Sequence, residues 1–201
     1  MNAEPDRREE DSSLARFAGI TLAGLVFLLL GLQILRGFMP AASKAGNPLT
    51  TLSRVSIHGI GPVIIGMTVD RASESIGRAL RRTDKLAASE DCFYVEPEGG
   101  PEGISFMVVH GKIARVDITN PEIQSRAGAK LGSTEKQVHS LYRGRIQVEH
   151  HQYDEKGHYL IFTPKDPGDK GYRMIFETNG KIVTTFRAGT VPEVQFVEHC
   201  L

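Results

Sequence analysis

The chain has 201 residues and carries 24 Lys+Arg against 24 Asp+Glu, a formal net charge of zero. No global field therefore draws it to nucleic acid. Its length admits one or two domains, and an internal duplication favours two small halves sharing one compact body.

The first sixteen residues are charged and read as a short cytoplasmic tail (1–16). The run Phe17 to Leu35 holds no charge, and about 20 apolar residues are what a helix needs to cross a bilayer core. Residues 17–39 are thus expected to be a transmembrane helix. A cleavable signal peptide competes, with Ser43-Lys44-Ala45 as a small-x-small site. The apolar run is longer than the ~7–15 residues of a usual signal core and its charged lead is long, which favours a retained anchor. Arg7, Arg8 and Arg16 precede the run while Arg36 and Lys44 follow it, so the N-terminus is expected inside and the rest outside. The expected place is the bacterial inner membrane, single-pass, with a periplasmic C-terminal domain.

Residues 40–53, with Pro, Ala, Ser, Gly and Asn, read as a linker. A first unit is expected over 54–122. Thr68 suits an N-cap, Asp70 favours the first helical turn, and Val69, Ala72, Ile76 and Leu80 recur at helical spacing. Arg78, Arg81, Arg82 and Lys85 cluster at the expected helix end, where cations complement the macrodipole. No aromatic residues interleave with them, so no nucleic-acid site is expected. Strands are expected at Cys92 to Glu96, Ile104 to Val109 and Lys112 to Ile118.

A second unit, 123–201, repeats the pattern. Thr134-Glu135-Lys136-Gln137 has capping-box form, and Val138, Leu141 and Tyr142 make the expected buried stripe. Strands are expected at Ile146 to His151, His158 to Thr163, Arg173 to Glu177 and Lys181 to Arg187. Gly66-Met67-Thr68 is answered by Gly132-Ser133-Thr134, and His110-Gly111-Lys112-Ile113 by Asn179-Gly180-Lys181-Ile182. The spacings, 66 residues from Thr68 to Thr134 and 69 from Gly111 to Gly180, are those of a duplication. The expected fold class is α+β, two tandem helix-plus-antiparallel-sheet units in one body behind one transmembrane helix.

Treating His110-Gly111 and Asn179-Gly180 as two-residue hairpin turns assigns side chains to sheet faces. Met107, Val109, Ala114, Val116, Ile118, Met174, Phe176 and Val183 then lie under the helices. Phe106, Arg115, Asp117, Arg173, Glu177 and Phe186 share the opposite face, a mixture suited to binding a protein partner. An ordinary open sheet face is the competing reading. Cys92 and Cys200, one per half, are a possible disulfide; two isolated buried thiols are equally compatible.

Gly66-Met67-Thr68, between apolar residues and an amphipathic helix, resembles the opening of the small-protein-A/OmlA outer-membrane assembly lipoproteins. The tandem arrangement from Arg54 to Leu201 looks more like the β-lactamase inhibitory protein family, whose αβ repeats each place helices on an antiparallel sheet. The resemblance implies a binding module that does no chemistry. This chain departs from both patterns: it has no lipobox cysteine after its apolar run, one cysteine per half rather than a disulfide in each, and Ser133 where the motif has Met.

Catalytic signatures are missing from the sequence. No H-E-x-x-H, C-x-x-C or G-x-S-x-G occurs. His150 and His151 are strand neighbours that point to opposite faces, while His151 and His158 could approach across a turn near Asp154. Gly99-Gly100-Pro101-Glu102-Gly103 lacks the Lys-Ser/Thr and following helix of a phosphate cradle and reads as an inter-strand loop. No catalytic residue, metal site or cofactor is expected. The functional expectation is a non-catalytic, membrane-anchored module binding an unidentified envelope protein, with no nucleic-acid partner. The alternatives are a small-ligand or cell-wall hydrolytic domain at the histidine-rich hairpin Glu149 to Tyr159, and a structural accessory subunit whose anchor packs in a complex.

Overall fold

The computed structural model describes residues 46–83 and 89–200, all within the compact unit Ala45–Leu201. From its first described residues the chain belongs to the body: Asn47 N–H donates to Ser75 O at 3.0 Å and Leu49 is buried. Residues 46–53 of the expected linker are therefore packed structure. β1 (Arg54–Ser56) turns back into β2 (Gly59–Ile60) and β3 (Val63–Ile64). With β8 (Gln124–Ser125), parallel to β1, they form a small sheet in the order β3-β2-β1-β8. These strands are two or three residues long, too short for alternation to announce them.

Helix α1 (Val69–Ile76) starts where Thr68 is extended and its hydroxyl accepts from Arg71 N–H at 3.3 Å. It ends one turn earlier than the apolar spacing suggests, because Gly77 takes the left-handed conformation and closes the helix. Leu80 then opens β4 (Leu80–Thr83), so Arg81 and Arg82 lie on a strand rather than at a helix end. Helix α2 (Glu135–Tyr142) carries the expected capping box: Gln137 N–H donates to Thr134 Oγ1 at 3.2 Å and Thr134 N–H to Gln137 Oε1 at 2.7 Å. It buries Val138 and Tyr142, whereas Leu141 is 41% exposed and outside the buried stripe. Tyr142 packs on Phe162 and Phe176 and donates to Ser125 Oγ at 2.8 Å.

The larger sheet contains β4, β5 (Cys92–Pro97), β6 (Ile104–Val109), β7 (Lys112–Ile118), β9 (Ile146–His150), β10 (His158–Phe162), β11 (Tyr172–Thr178) and β12 (Val183–Thr190). Its order is β4-β5-β6-β7-β12-β11-β10-β9, antiparallel throughout. The two helix starts dock on it alike. Gly66 N–H and Met67 O bond Ile113, and Gly132 N–H and Ser133 O bond Val183, at 2.7–2.9 Å. One sheet face carries the helices and the main core, including Val95, Phe106, Val116, Leu160, Phe176 and Phe186.

This corrects the expected fold class. Each half supplies a helix and a four-stranded meander, but the meanders merge where β7 lies against β12, with Phe186 opposite Ile118 and Arg187 opposite Asp117. The described chain is mostly β, with two sheets and two eight-residue helices, and not two helix-plus-sheet units in tandem. The seam is tight: at Gly189, opposite Arg115, an added Cβ would stand 2.2 Å from Ala114 O.

The expectation of a single-pass inner-membrane protein is also corrected. Among the described residues no helix is long and apolar enough to cross a membrane. The tail 1–16 and the apolar segment 17–39, on which that expectation and the periplasmic placement rested, lie outside the described residues.

Candidate binding surfaces

Two β-bulges decide which side chains reach the open face of the large sheet. His110-Gly111 is a two-residue turn, with φ of 48° and 75° and Val109 opposite Lys112. A bulge between Met107 and Val108 then shifts the ladder by one residue, so Phe106 faces Val116 instead of Arg115. The second turn is longer than the Asn179-Gly180 pair suggests: Thr178 pairs with Val183 across a four-residue loop, and a bulge follows at Glu177. A one-residue shift exchanges faces. Phe106 and Phe186 are therefore fully buried in the core under the helices, Phe186 stacked on Phe176 at 5.4 Å. Met107, expected in that core, lies on the other face with Tyr94 and Arg115 as strand neighbours.

The remaining four residues expected to bind a partner are engaged within the chain. Arg115 is fully buried and grips Asp117 with two bonds of 2.8 Å. Its Nη1 donates to Glu193 O at 3.0 Å and Phe196 O at 2.7 Å, and its Nη2 to Tyr94 Oη at 2.6 Å. Glu177 pairs with Arg187, whose Nε donates to Val194 O at 2.7 Å. Arg173 donates to Lys170 O and Tyr172 O at 2.8 and 2.6 Å. Residues 192–200 thus form a strap across the open face, held by two guanidiniums that donate to its carbonyls. Val194 packs there with Tyr159, Ile161 and Ile175 in a second small core.

The strap ends in a disulfide. Cys200 is bonded to Cys92 at the start of β5, 108 residues earlier. Beside it, His199 Nδ1 lies 3.1 Å from both Arg115 Nη2 and Tyr94 Oη. The two N–H groups of Arg115 Nη2 are taken by Asp117 and Tyr94, so the Tyr94 hydroxyl, which accepts from Arg115, is the group free to donate to Nδ1. Burial holds the His199 pKa below its ordinary value, with Arg115 acting in the same sense and Asp117 against it. Burial, reinforced by the charge of Asp117, pushes the Tyr94 phenol well above its ordinary value. Sequence reasoning missed Tyr94, Arg187, His199 and the strap. The available signal was that β10 is apolar on both faces, Leu160 and Phe162 on one and Tyr159 and Ile161 on the other, which asks for a second cover.

A cleft of about 730 Å³ opens beside the strap, bounded by the glycine-rich loop 97–103 and lined by Glu96, Glu102, Asp117 and His199. At the other end of the sheet the histidine-rich hairpin builds no convergent site. His151 stacks on Tyr159 at 4.6 Å and faces Glu177 on the open side. His158 Nδ1 lies 2.8 Å from Glu135 Oε1 on the helix side, where Thr178 also donates to Glu135 at 2.5 Å. Among the described residues no group of three or more His, Cys, Asp or Glu is placed to hold a metal ion.

What is left open is an edge. β9 pairs only with β10 among the described strands, and four of its five residues are exposed. Thr163 N–H donates to Arg145 O and His151 N–H to Gly157 O, which fixes the odd-numbered positions as those bonded to β10. The N–H and C=O groups of Ile146, Val148 and His150 consequently point away from the sheet.

No protein-family model matches this chain. No curated protein matches it either. Among solved structures it is similar to the uncharacterised protein YfeY from Escherichia coli, at 16% identity and a TM-score of 0.45, over 68% of this chain and 99% of that one. A likeness at this level carries no functional information.

Proposed function

We propose that this protein is a non-catalytic protein-binding module that takes its partner by strand addition at the β9 edge. The observation that carries this reading is the row of outward-pointing main-chain groups at Ile146, Val148 and His150 on an exposed strand. An extended segment laid along such a row gains main-chain hydrogen bonds, and side chains on alternate positions supply specificity. The face expected to bind a partner is closed by the strap, so recognition moves from face to edge. Non-catalytic behaviour is supported by how the ionisable groups of the sheet are used: Arg187 with Glu177 and His158 with Glu135 each tie two structural elements together, and Arg115, paired with Asp117 on its own strand, bonds the carbonyls of Glu193 and Phe196. The resemblance to the β-lactamase inhibitory protein family points the same way.

The test is hydrogen exchange on the full chain with and without a crosslinked protein partner. Strand addition protects the amides of Ile146, Val148 and His150 and leaves those of Gln147 and Glu149, already bonded to β10, unchanged. Val148→Pro removes one outward N–H without touching the β10 ladder and should abolish capture. Capture that survives Val148→Pro, with protection elsewhere, refutes the reading.

A further inference from the structure

The two outer strands of the large sheet are not treated alike. β4 carries exposed Arg81 and Arg82 at its centre. Pairing β4 with its own copy would set these cations against each other, a recognised guard against edge-to-edge association. β9, Ile146-Gln147-Val148-Glu149-His150, has no Lys, no Pro and no bulge in its ladder with β10. It is an unguarded edge of ordinary strand length.

Its sequence is also self-complementary. A two-fold axis through Val148 sets Val148 against Val148 of a second copy and Ile146 against His150, all positions whose main-chain groups point outward. Every outward N–H then meets an outward carbonyl of the mate, as an antiparallel ladder demands. On the open-face side the same register sets Gln147 against Glu149. Within one chain the Gln147 amide already donates to Glu149 Oε1 at 2.8 Å, so in the pair it exchanges one carboxylate for the equivalent one across the axis. No like charges face each other on β9. On the helix side Val148 is 47% exposed, and α2, packed on the adjoining β10, presents Leu141 at 41%. These apolar groups gain cover when a second copy arrives.

We infer that the occupant of the β9 edge is a second copy of this chain, paired antiparallel about Val148 so that two eight-stranded sheets become one. The inference rests on the proposed strand-addition reading and names its partner.

Sedimentation velocity of the full chain over a wide concentration range tests it, comparing the natural sequence with Val148→Lys and with Leu52→Lys as a control at an exposed site far from β9 in sequence. The expected result is a reversible dimer that Val148→Lys, by setting two ammonium groups against each other across the axis, weakens at least about tenfold, with Leu52→Lys unchanged. Circular dichroism should be the same for all three proteins, because the Val148 side chain is 47% exposed at the edge of the sheet, and thermal midpoints are compared at concentrations where each protein is monomeric. A monomer at every concentration, or a dimer indifferent to Val148→Lys, overturns the inference. If that monomer still loses a different protein partner on Val148→Pro, strand addition stands and only self-pairing falls.

Discussion

Arg115 and Asp117 stand two positions apart on β7 and meet in a fork, Nε to Oδ2 and Nη2 to Oδ1, both at 2.8 Å. Its Nη1 holds the strap by two carbonyls, and its Nη2 also donates to the Tyr94 hydroxyl on β5. Removing one member of a buried, fully bonded pair leaves the other charged and unpaired, which costs about 3–5 kcal/mol. Asp117→Asn should therefore lower unfolding stability by roughly that amount in urea titrations. Arg115→Met, which frees the strap's carbonyls as well, should also increase hydrogen exchange over residues 193–199.

The Cys92–Cys200 bond closes a loop of 108 residues. Loops of that size stabilise folded chains by about 2–5 kcal/mol, chiefly by restricting the unfolded state. Cys92→Ser and the reduced natural protein should show matching losses in thermal midpoint. Intact mass before and after reduction and alkylation should reveal both thiols only after reduction.

Stability should fall on mild acidification. The His199 pKa is depressed by burial, so between its folded value and the ordinary imidazole value of ~6.5 the unfolded chain binds more protons. Stability is then fully present above the unfolded value and lost as pH drops through that window. The groups facing the imidazole are Tyr94, Arg115 and Asp117. Urea midpoints measured from about pH 7 to about pH 5.5 should decline, and His199→Gln should flatten the decline. A second loss follows at lower pH from Glu135: burial alone would raise its pKa, but bonds from Thr178 and His158 hold it below the usual value.

At the seam, Gly189→Ala should destabilise by at least about 1–3 kcal/mol, because the new methyl meets the backbone of β7 and not a side chain that could turn away. The checking measurement is a urea titration alongside Gly171→Ala, a position where an added Cβ meets nothing within 4 Å.

The elements that sequence reasoning located are those whose signal is local. Thr134 and Gln137 announce α2 through their own spacing, and the apolar runs of β6 and β10 are long enough to read. Leu80 misled because its side chain is buried in either reading; Gly77 settles the matter by a backbone conformation that apolar spacing does not encode. Phe106 and Phe186 were assigned to the wrong face because bulges at Met107 and Glu177 exchange faces without altering composition. The seam between β7 and β12 and the strap held by Arg115 and Arg187 join residues about 70 or more positions apart or depend on a turn back over the sheet, and no periodic pattern marks such contacts. The β9 edge is the opposite case: its residues were read correctly as a strand, but its position at the end of the sheet emerges only from the order of all eight.

The bond from the strap back to β5 also decides how this body bears tension. A pull applied between residue 46 and residue 200 runs along the chain to Cys92 and then directly through sulfur to Cys200. The seam, α2 and the whole second meander lie inside the loop that this covalent path bypasses. The extensible part ahead of the bond comprises β1–β3, α1 and β4, until reduction adds the closed loop, about 360–390 Å at full extension. Under load the oxidised chain can lengthen only ahead of Cys92, whereas the reduced chain can also unfold the segment between Cys92 and Cys200.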